Sequence, residues 1–429
     1  MKLRWFEWED AVATASSVRI WDIGARAAVE EDVDRIWREY IDTEDDVAYL
    51  LDLTARFDAT RVTPTSLAVG EEERVEALSK IDSDLRRALE VASVNIRAVA
   101  AEQLSALPLE VTLPEGQQVT IRDVPVTSAG IYAPGGRAAY PSSVLMCAIP
   151  ARVAGVKRIT LATPPGPDGK VNPVVLAAAQ LCGVDEVFAI GGAQAIFAMA
   201  IGVEDTLFPV DVIAGPGNAW VREAKRKVAG MVAIDSLAGP SELMVVIDGD
   251  ANLRWAALDL CAQAEHGDES PLVAVATERE VLAALAEEVQ RAAASRSGVT
   301  NALLALVQAP DISSAISFAN EFAPEHLELF VADASVRAAD VSTAGCVFAG
   351  DYSATAFGDY VAGSNHVLPT SSAGHFSGPL GPGTFRRKIA TVEITAGAAA
   401  KLAPHVNTIA RAEGFPVHGE SAMIRSEDE

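Results

Sequence analysis

The chain has 429 residues, half of them hydrophobic, four cysteines and a formal net charge of −25. The length exceeds one small core and predicts two or three domains. The acidic balance excludes a nucleic-acid or anionic-membrane binder, because phosphates need a basic face. No apolar run reaches the ~18 residues of a membrane helix, and the acidic start, Met1 to Asp10, lacks a secretory core. A soluble cytoplasmic protein is the expectation.

Residues 1–105 read as a mostly helical region, poor in strand signals. Val33, Ile36 and Trp37 recur at helical spacing, and Ser83 to Val99 repeats the pattern. No chemistry is visible there. Residues 106–240 alternate short β-rich runs with helical ones. Val126–Tyr132, Arg158–Thr163, Glu186–Ile190 and Asp211–Ala214 read as strands. Helices are expected from Pro141, over Asn172–Cys182, after Gly191-Gly192-Ala193-Gln194 and over Ala219–Val228. Residues 241–380 repeat the alternation. Strands are expected at Leu243–Ile247, Leu272–Ala276, Leu303–Val307, Leu327–Val331 and Cys346–Phe348, with helices at Asn252–His266, Glu278–Ala294, Ile312–Phe322 and Ala334–Ala339. The pattern predicts an α/β fold with two tandem Rossmann-like parallel-sheet domains. Residues 371–384 are loop-like. Residues 381–429 form a short tail, helical over Ala396–Glu413, with too little core to stand alone.

Three glycine-bearing loops, at Ala133–Gly136, Gly191–Gln194 and Gly215–Asn218, each follow a strand and open a helix. That is the carboxyl edge of a parallel sheet, where amides at helix starts favour a pyrophosphate. There is no G-x-G-x-x-G, and each loop taken alone is equally explained as a turn. The six histidines begin only at His266. The run Gly358-Asp-Tyr-Val-Ala-Gly-Ser-Asn-His366 reads as a loop that gathers a carboxylate, an amide and an imidazole. Gln263 and His266 share a helix face. Together with Asp359 and His418 they have the donor types of a divalent metal site, at long spacing. Glu325-His326 precedes a strand. In extended chain the two side chains point apart, so a Glu could activate water and a His shuttle protons at different steps. The alternative is a solvated Glu beside a capping His. Cys147, Cys182, Cys261 and Cys346 sit in apolar settings and read as structural thiols.

In these residues the chain resembles the histidinol dehydrogenase family. The matching runs are Tyr132-Ala-Pro-Gly-Gly-Arg-Ala-Ala-Tyr-Pro-Ser-Ser-Val-Leu-Met, Gly191-Gly-Ala-Gln-Ala-Ile, Gly215-Pro-Gly-Asn-Ala, Ala238-Gly-Pro-Ser-Glu, Gln263-Ala-Glu-His-Gly, Pro324-Glu-His-Leu-Glu and Gly358 through Thr370. The resemblance implies oxidation of L-histidinol to L-histidine through histidinal, the last step of histidine biosynthesis, with two NAD reduced. It implies one Zn²⁺ held by Gln263, His266, Asp359 and His418, and orienting the substrate's nitrogens. His326 would take the alcohol proton, and Glu325 would activate water for the second oxidation. Tyr132, Gln194 and Asn218 would contact NAD. Ser241, Gln263, His266, His326, Asp359, Glu413 and His418 would line the substrate site. His366 matches a site residue without an assigned role. The family is a homodimer whose tail crosses to the partner, which would account for the orphan tail. Two stretches depart from the family pattern, the loop Gly378–Gly383 and the first 60 residues. Rival readings are a relative acting on another primary alcohol, a silent zinc-binding paralogue, and a thiol-based aldehyde dehydrogenase.

Overall fold

The computed structural model describes residues 1–23, 29–58, 62–104, 108–135, 138–267, 269–299 and 301–426. The boundary expected at residues 105 and 106, and Gly136-Arg137 of the Tyr132 motif, lie outside the described residues. Three sheets organise the rest, in a mixed α/β fold with parallel sheets.

The first sheet holds β5 (Ser128–Tyr132), β6 (Arg158–Thr163), β7 (Glu186–Ala189), β8 (Val212–Ala214) and β9 (Ala233–Ile234), all parallel, with β2 (Ala68–Val69) antiparallel on the outer edge of β7. The order is β2-β7-β6-β5-β8-β9. The central strands are unbroken buried runs, as parallel strands covered on both faces must be. The chain reverses direction of addition between β5 and β8. That is the switch point where ligands bind in such sheets, and here it carries Tyr132 and Gly215. Gly215 sits at φ +120°, and a Cβ there would strike the Tyr132 carbonyl, so only glycine lets the two strand ends lie so close.

The second sheet holds β10 (Leu243–Ile247), β11 (Pro271–Ala276), β12 (Leu303–Gln308), β13 (His326–Phe330) and β14 (Cys346–Ala349). All are parallel and the order is β1-β12-β11-β10-β13-β14. Its sixth member is β1 (Lys2–Phe6), from the opposite end of the chain, a short strand with charges that gave no alternation to read. The helices of residues 1–104 hold no core of their own. Ala15 and Val18 pack with the second sheet, while Val33, Ile36, Leu50 and Leu53 pack with the first.

The third sheet is small and antiparallel: β3 (Leu109–Thr112), β4 (Gln118–Pro125) and β15 (Arg386–Glu393), in the order β15-β4-β3. Arg386 Nε donates to Asp123 Oδ2 at 2.9 Å and so anchors the start of the tail on its own chain. Beyond it, helix Ala396–Ala412 packs against helix Pro416–Met423. The stretch Gly358–His366, read as a loop, is a loop only in its second half. Its first three residues end the helix Thr355–Tyr360. No helix among the described residues is long and apolar enough to cross a membrane.

Candidate active site

The carboxyl edge of the first sheet faces the amino edge of the second across a cleft of about 1470 Å³. A single small-molecule site usually takes roughly 300–1,000 Å³, so this cleft has room for two ligands. Tyr132, Gln194 and Asn218 line one side, and Ser241, His266, Glu325, His326, Asp359 and His366 line the other.

On the first side, the Tyr132 hydroxyl accepts from the Gly192 amide at 3.1 Å and pins the start of helix Gly192–Ile201. Burial pushes its phenol up to about 12, so it stays neutral. Asn218 caps helix Ala219–Val228 by accepting from Val221 N. Gln194 is buried, and its Nε2 has no hydrogen-bond partner. A buried orphan donor at a helix start is the kind of group a bound anion or amide satisfies. Beneath the Gly215 loop, Lys225 Nζ donates to Gly215 O at 2.5 Å and to Asp235 Oδ1 at 2.6 Å, and Gly215 N donates to Asp235 Oδ2 at 2.8 Å.

On the second side, Glu325 stands just before β13 and His326 begins it. The expectation that their side chains part does not hold. His326 Nδ1 lies 3.4 Å from Glu325 Oε2, because strand alternation starts only at His326 and Glu325 is free to fold back. Glu325 Oε2 accepts from Ser241 Oγ at 2.5 Å and from Glu242 N at 2.8 Å. His326 Nδ1 lies 2.9 Å from Glu242 O. A carbonyl only accepts, so Nδ1 carries the hydrogen and Nε2 is the nitrogen without one in the neutral ring. Nε2 lies 3.6 Å from Asp359 Oδ1. Burial disfavours the imidazolium, but the charges of Glu325 and Asp359 outweigh it and raise the His326 pKa well above 6.5. Burial likewise raises Asp359, and the His326 contact more than cancels this, leaving it below the ordinary carboxylate range.

Gln263 is buried near the end of helix Leu253–Ala264. Its Nε2 donates to Ser241 Oγ at 2.5 Å, which leaves the amide oxygen without that bond. His266 falls in the turn just past that helix, not on it. His366 Nδ1 lies 2.9 Å from Asp359 O, so it donates there, and Nε2 faces Ser143 Oγ at 3.4 Å. Burial lowers its pKa, so His366 is neutral and links the Asp359 turn to helix Pro141–Ala154.

Three comparisons with known proteins bear on this site. A family model described as histidinol dehydrogenase matches residues 24–426. The histidinol dehydrogenase of Ruegeria pomeroyi is 43% identical over 384 residues, 88% of each chain. That of Aromatoleum aromaticum is 40% identical over 424 residues, 97% of this chain and 96% of its own. The chain belongs to the histidinol dehydrogenase family. It is therefore an oxidoreductase. The crystal structure of histidinol dehydrogenase from Elizabethkingia anophelis superposes with a TM-score of 0.90 at 30% identity, covering 99% of this chain and 98% of that one.

The cleft gathers residues far apart in sequence, yet three expected members are missing from its lining: Gln263, which is buried and bonded to Ser241, and Glu413 and His418. Glu413 and His418 are exposed and lie outside its lining. Among the described residues no three His, Cys, Asp or Glu side chains converge closely enough to hold a metal. Among the thiols, Cys147, Cys182 and Cys261 are buried and Cys346 half-buried, and burial raises the pKa of all four, which disfavours the thiolate. Sequence reasoning also passed over three residues. Glu242 lay inside the quoted Ala238–Glu242 motif but had no role assigned. Ser143 likewise lay inside the quoted run from Tyr132 to Met146 with no role assigned. Arg19, which reaches Glu242, was the single cation in an apolar N-terminal helix and could have been flagged for that.

Proposed function

We propose that the protein catalyses the NAD-linked, four-electron oxidation of L-histidinol to L-histidine through L-histidinal, with one Zn²⁺ per site. Family membership supports the substrate, and the placement of Glu325 and His326 across the cleft from Tyr132, Gln194 and Asn218 supports the chemistry. The observation that carries the reading is the Glu242 hub, which presents a carboxylate and a tautomer-fixed imidazole together.

The donor chemistry fits zinc: a carboxylate on Asp359 held ionised and the His266 imidazole, both in the cleft lining, and the amide oxygen of Gln263, whose Nε2 is bonded to the lining residue Ser241. The set lacks a second imidazole, which His418 of a second copy would supply. Zinc held there would supply a redox-inert anchor for the substrate's amino and imidazole nitrogens, and NAD bound by the other side of the cleft would supply the two-electron acceptor for each oxidation. In the first step His326 Nε2 takes the alcohol proton while Nδ1 stays bonded to Glu242. In the second, Glu325 withdraws a proton from the water that attacks the aldehyde carbon. Ser241 and Glu413 position the substrate, and Tyr132, Gln194 and Asn218 bind NAD.

A homodimer with crossed tails is part of this proposal. The tail exposes Val406, Ile409, Phe415 and Val417, an apolar face that a second copy would cover. The test is product stoichiometry. L-Histidinol with excess NAD should give L-histidine and about two NADH per substrate, lost on chelation and restored by Zn²⁺. Release of histidinal with one NADH, or full turnover in metal-free protein shown by elemental analysis, would refute it.

A further inference from the structure

We propose that Arg19 is a positioning residue for the reaction, clamping from helix Ala11–Ile23 the main chain that holds Glu325 and His326. The proposal rests on the reading that those two residues carry the chemistry.

The clamp is a chain of short contacts. Arg19 Nη1 donates to Glu242 Oε1 at 2.6 Å and Nη2 to Oε2 at 2.9 Å, a bidentate pair. Nη2 also reaches the carbonyls of Phe322 at 2.8 Å and Ala323 at 3.3 Å, at the end of helix Ile312–Phe322. The guanidinium carbon stands 3.5 Å over the Phe322 ring. From Ala323, two residues lead to Glu325. One cation therefore grips both backbone segments that meet at the active site: the one leading into Glu325-His326, and the one carrying Glu242. Glu242 in turn gives its N–H to Glu325 Oε2 and its carbonyl to His326 N at 3.2 Å and Nδ1 at 2.9 Å. Its Oε1 also accepts from Ser371 N at 2.9 Å, in the segment that follows the Asp359–Thr370 run.

Stability does not explain such a pair. The side chains of Arg19 and Glu242 are 11% and 0% exposed, and a buried ion pair usually does no better than an apolar pair of the same volume. What the ion pair gives is geometry. A shift of about 1 Å in a catalytic group can cost ~10²-fold in rate, and losing the clamp frees the Glu242 side chain and the end of helix Ile312–Phe322 together.

The experiment compares Arg19→Met, Arg19→Lys and the double variant Arg19→Met/Glu242→Met with the wild-type enzyme on L-histidinol and NAD. Arg19→Met should lower kcat by roughly 10–10²-fold and leave KM for NAD within about twofold, because the NAD side of the cleft is untouched. Arg19→Lys, which cannot make the bidentate contact, should fall between. The double variant removes the unpaired buried charge, so its melting temperature should recover while kcat stays low. Recovery of kcat together with melting temperature would mean a purely structural role and overturn the proposal, as would a kcat for Arg19→Met within twofold of wild type. ¹⁵N imidazole spectra, assigned with His326→Asn, read the clamp without turnover. The Nδ1–H signature of His326 should be lost in Arg19→Met and kept in wild type, and an unchanged signature would also overturn it. If wild type fails to oxidise histidinol while the spectra shift, the reaction assignment falls and the clamp stands.

Discussion

At the scale of single residues, the proposed division of labour between Glu325 and His326 follows from which atoms are already engaged. Glu325 Oε2 is occupied by Ser241 and Glu242, so Oε1 is the oxygen left for water. His326 Nδ1 is occupied by Glu242, so Nε2 is the nitrogen that would act as the proposed base. Glu325→Gln should therefore slow histidinal oxidation by ~10²–10⁴-fold and the first alcohol oxidation far less, while His326→Asn should slow the alcohol step at least as much. The pH profile gives a second check. A base works when deprotonated, so alcohol oxidation should rise with pH through the His326 pKa, with a midpoint above 6.5. Burial pulls that pKa down and Glu325 is the strongest partner pulling it up. Glu325→Gln should then move the midpoint of the alcohol step to lower pH. Single-turnover assays across pH would show both effects, and equal mild losses in both half-reactions, with an unmoved midpoint, would reject these roles.

At the scale of elements, β13 is tied to its neighbours by a carboxyl that the family motif contains but the reaction does not use. Glu328 Oε1 accepts from Thr355 N at 2.8 Å and Thr355 Oγ1 at 2.6 Å, joining β13 to helix Thr355–Tyr360. Its other oxygen is buried without a partner. Burial, and then the charge of Asp259 on helix Leu253–Ala264, raise its pKa to about 8. The folded state thus prefers the protonated acid. Its contribution is full below the ordinary carboxylate range and is lost as pH rises toward about 8. Glu328→Gln keeps both acceptor contacts and removes the ionisation, so its melting temperature should match wild type near pH 5 and exceed it at pH 8.5, a gain of roughly 1–3 kcal/mol. A difference that does not change with pH would contradict this. Elements such as β10 were legible from sequence because both faces of the strand are buried, which makes an unbroken apolar run. β1 and β15 were not. β15 exposes most of its side chains and alternates nothing, and its partner β4 lies in the other half of the chain. The Gly358–Tyr360 turn was misread as loop because its helix is only six residues long and ends at the glycine-bearing stretch.

At the scale of the whole molecule, two parallel sheets of the same strand order face each other by opposite edges, and the cleft between them holds residues from Tyr132 to His366. Most of this site was legible as residue types in motifs, but its hub was not. Glu242 acts through its main chain, which no residue type announces, and Arg19 reaches it from a helix more than two hundred residues away. Two of the expected members outside its lining, the exposed Glu413 and His418, belong to a tail whose helices pack mainly on each other. The central claim is that a second copy brings them in. The direct measurement mixes two inactive variants, His418→Ala and His266→Ala, unfolded and reassembled together. With crossed tails, one site of a mixed dimer carries both lesions and the other carries none. Activity should then return to roughly a quarter of wild type, because about half of the dimers are mixed and each keeps one intact site. If each tail serves its own subunit, every site keeps a lesion, the mixture stays inactive, and the composite site is contradicted.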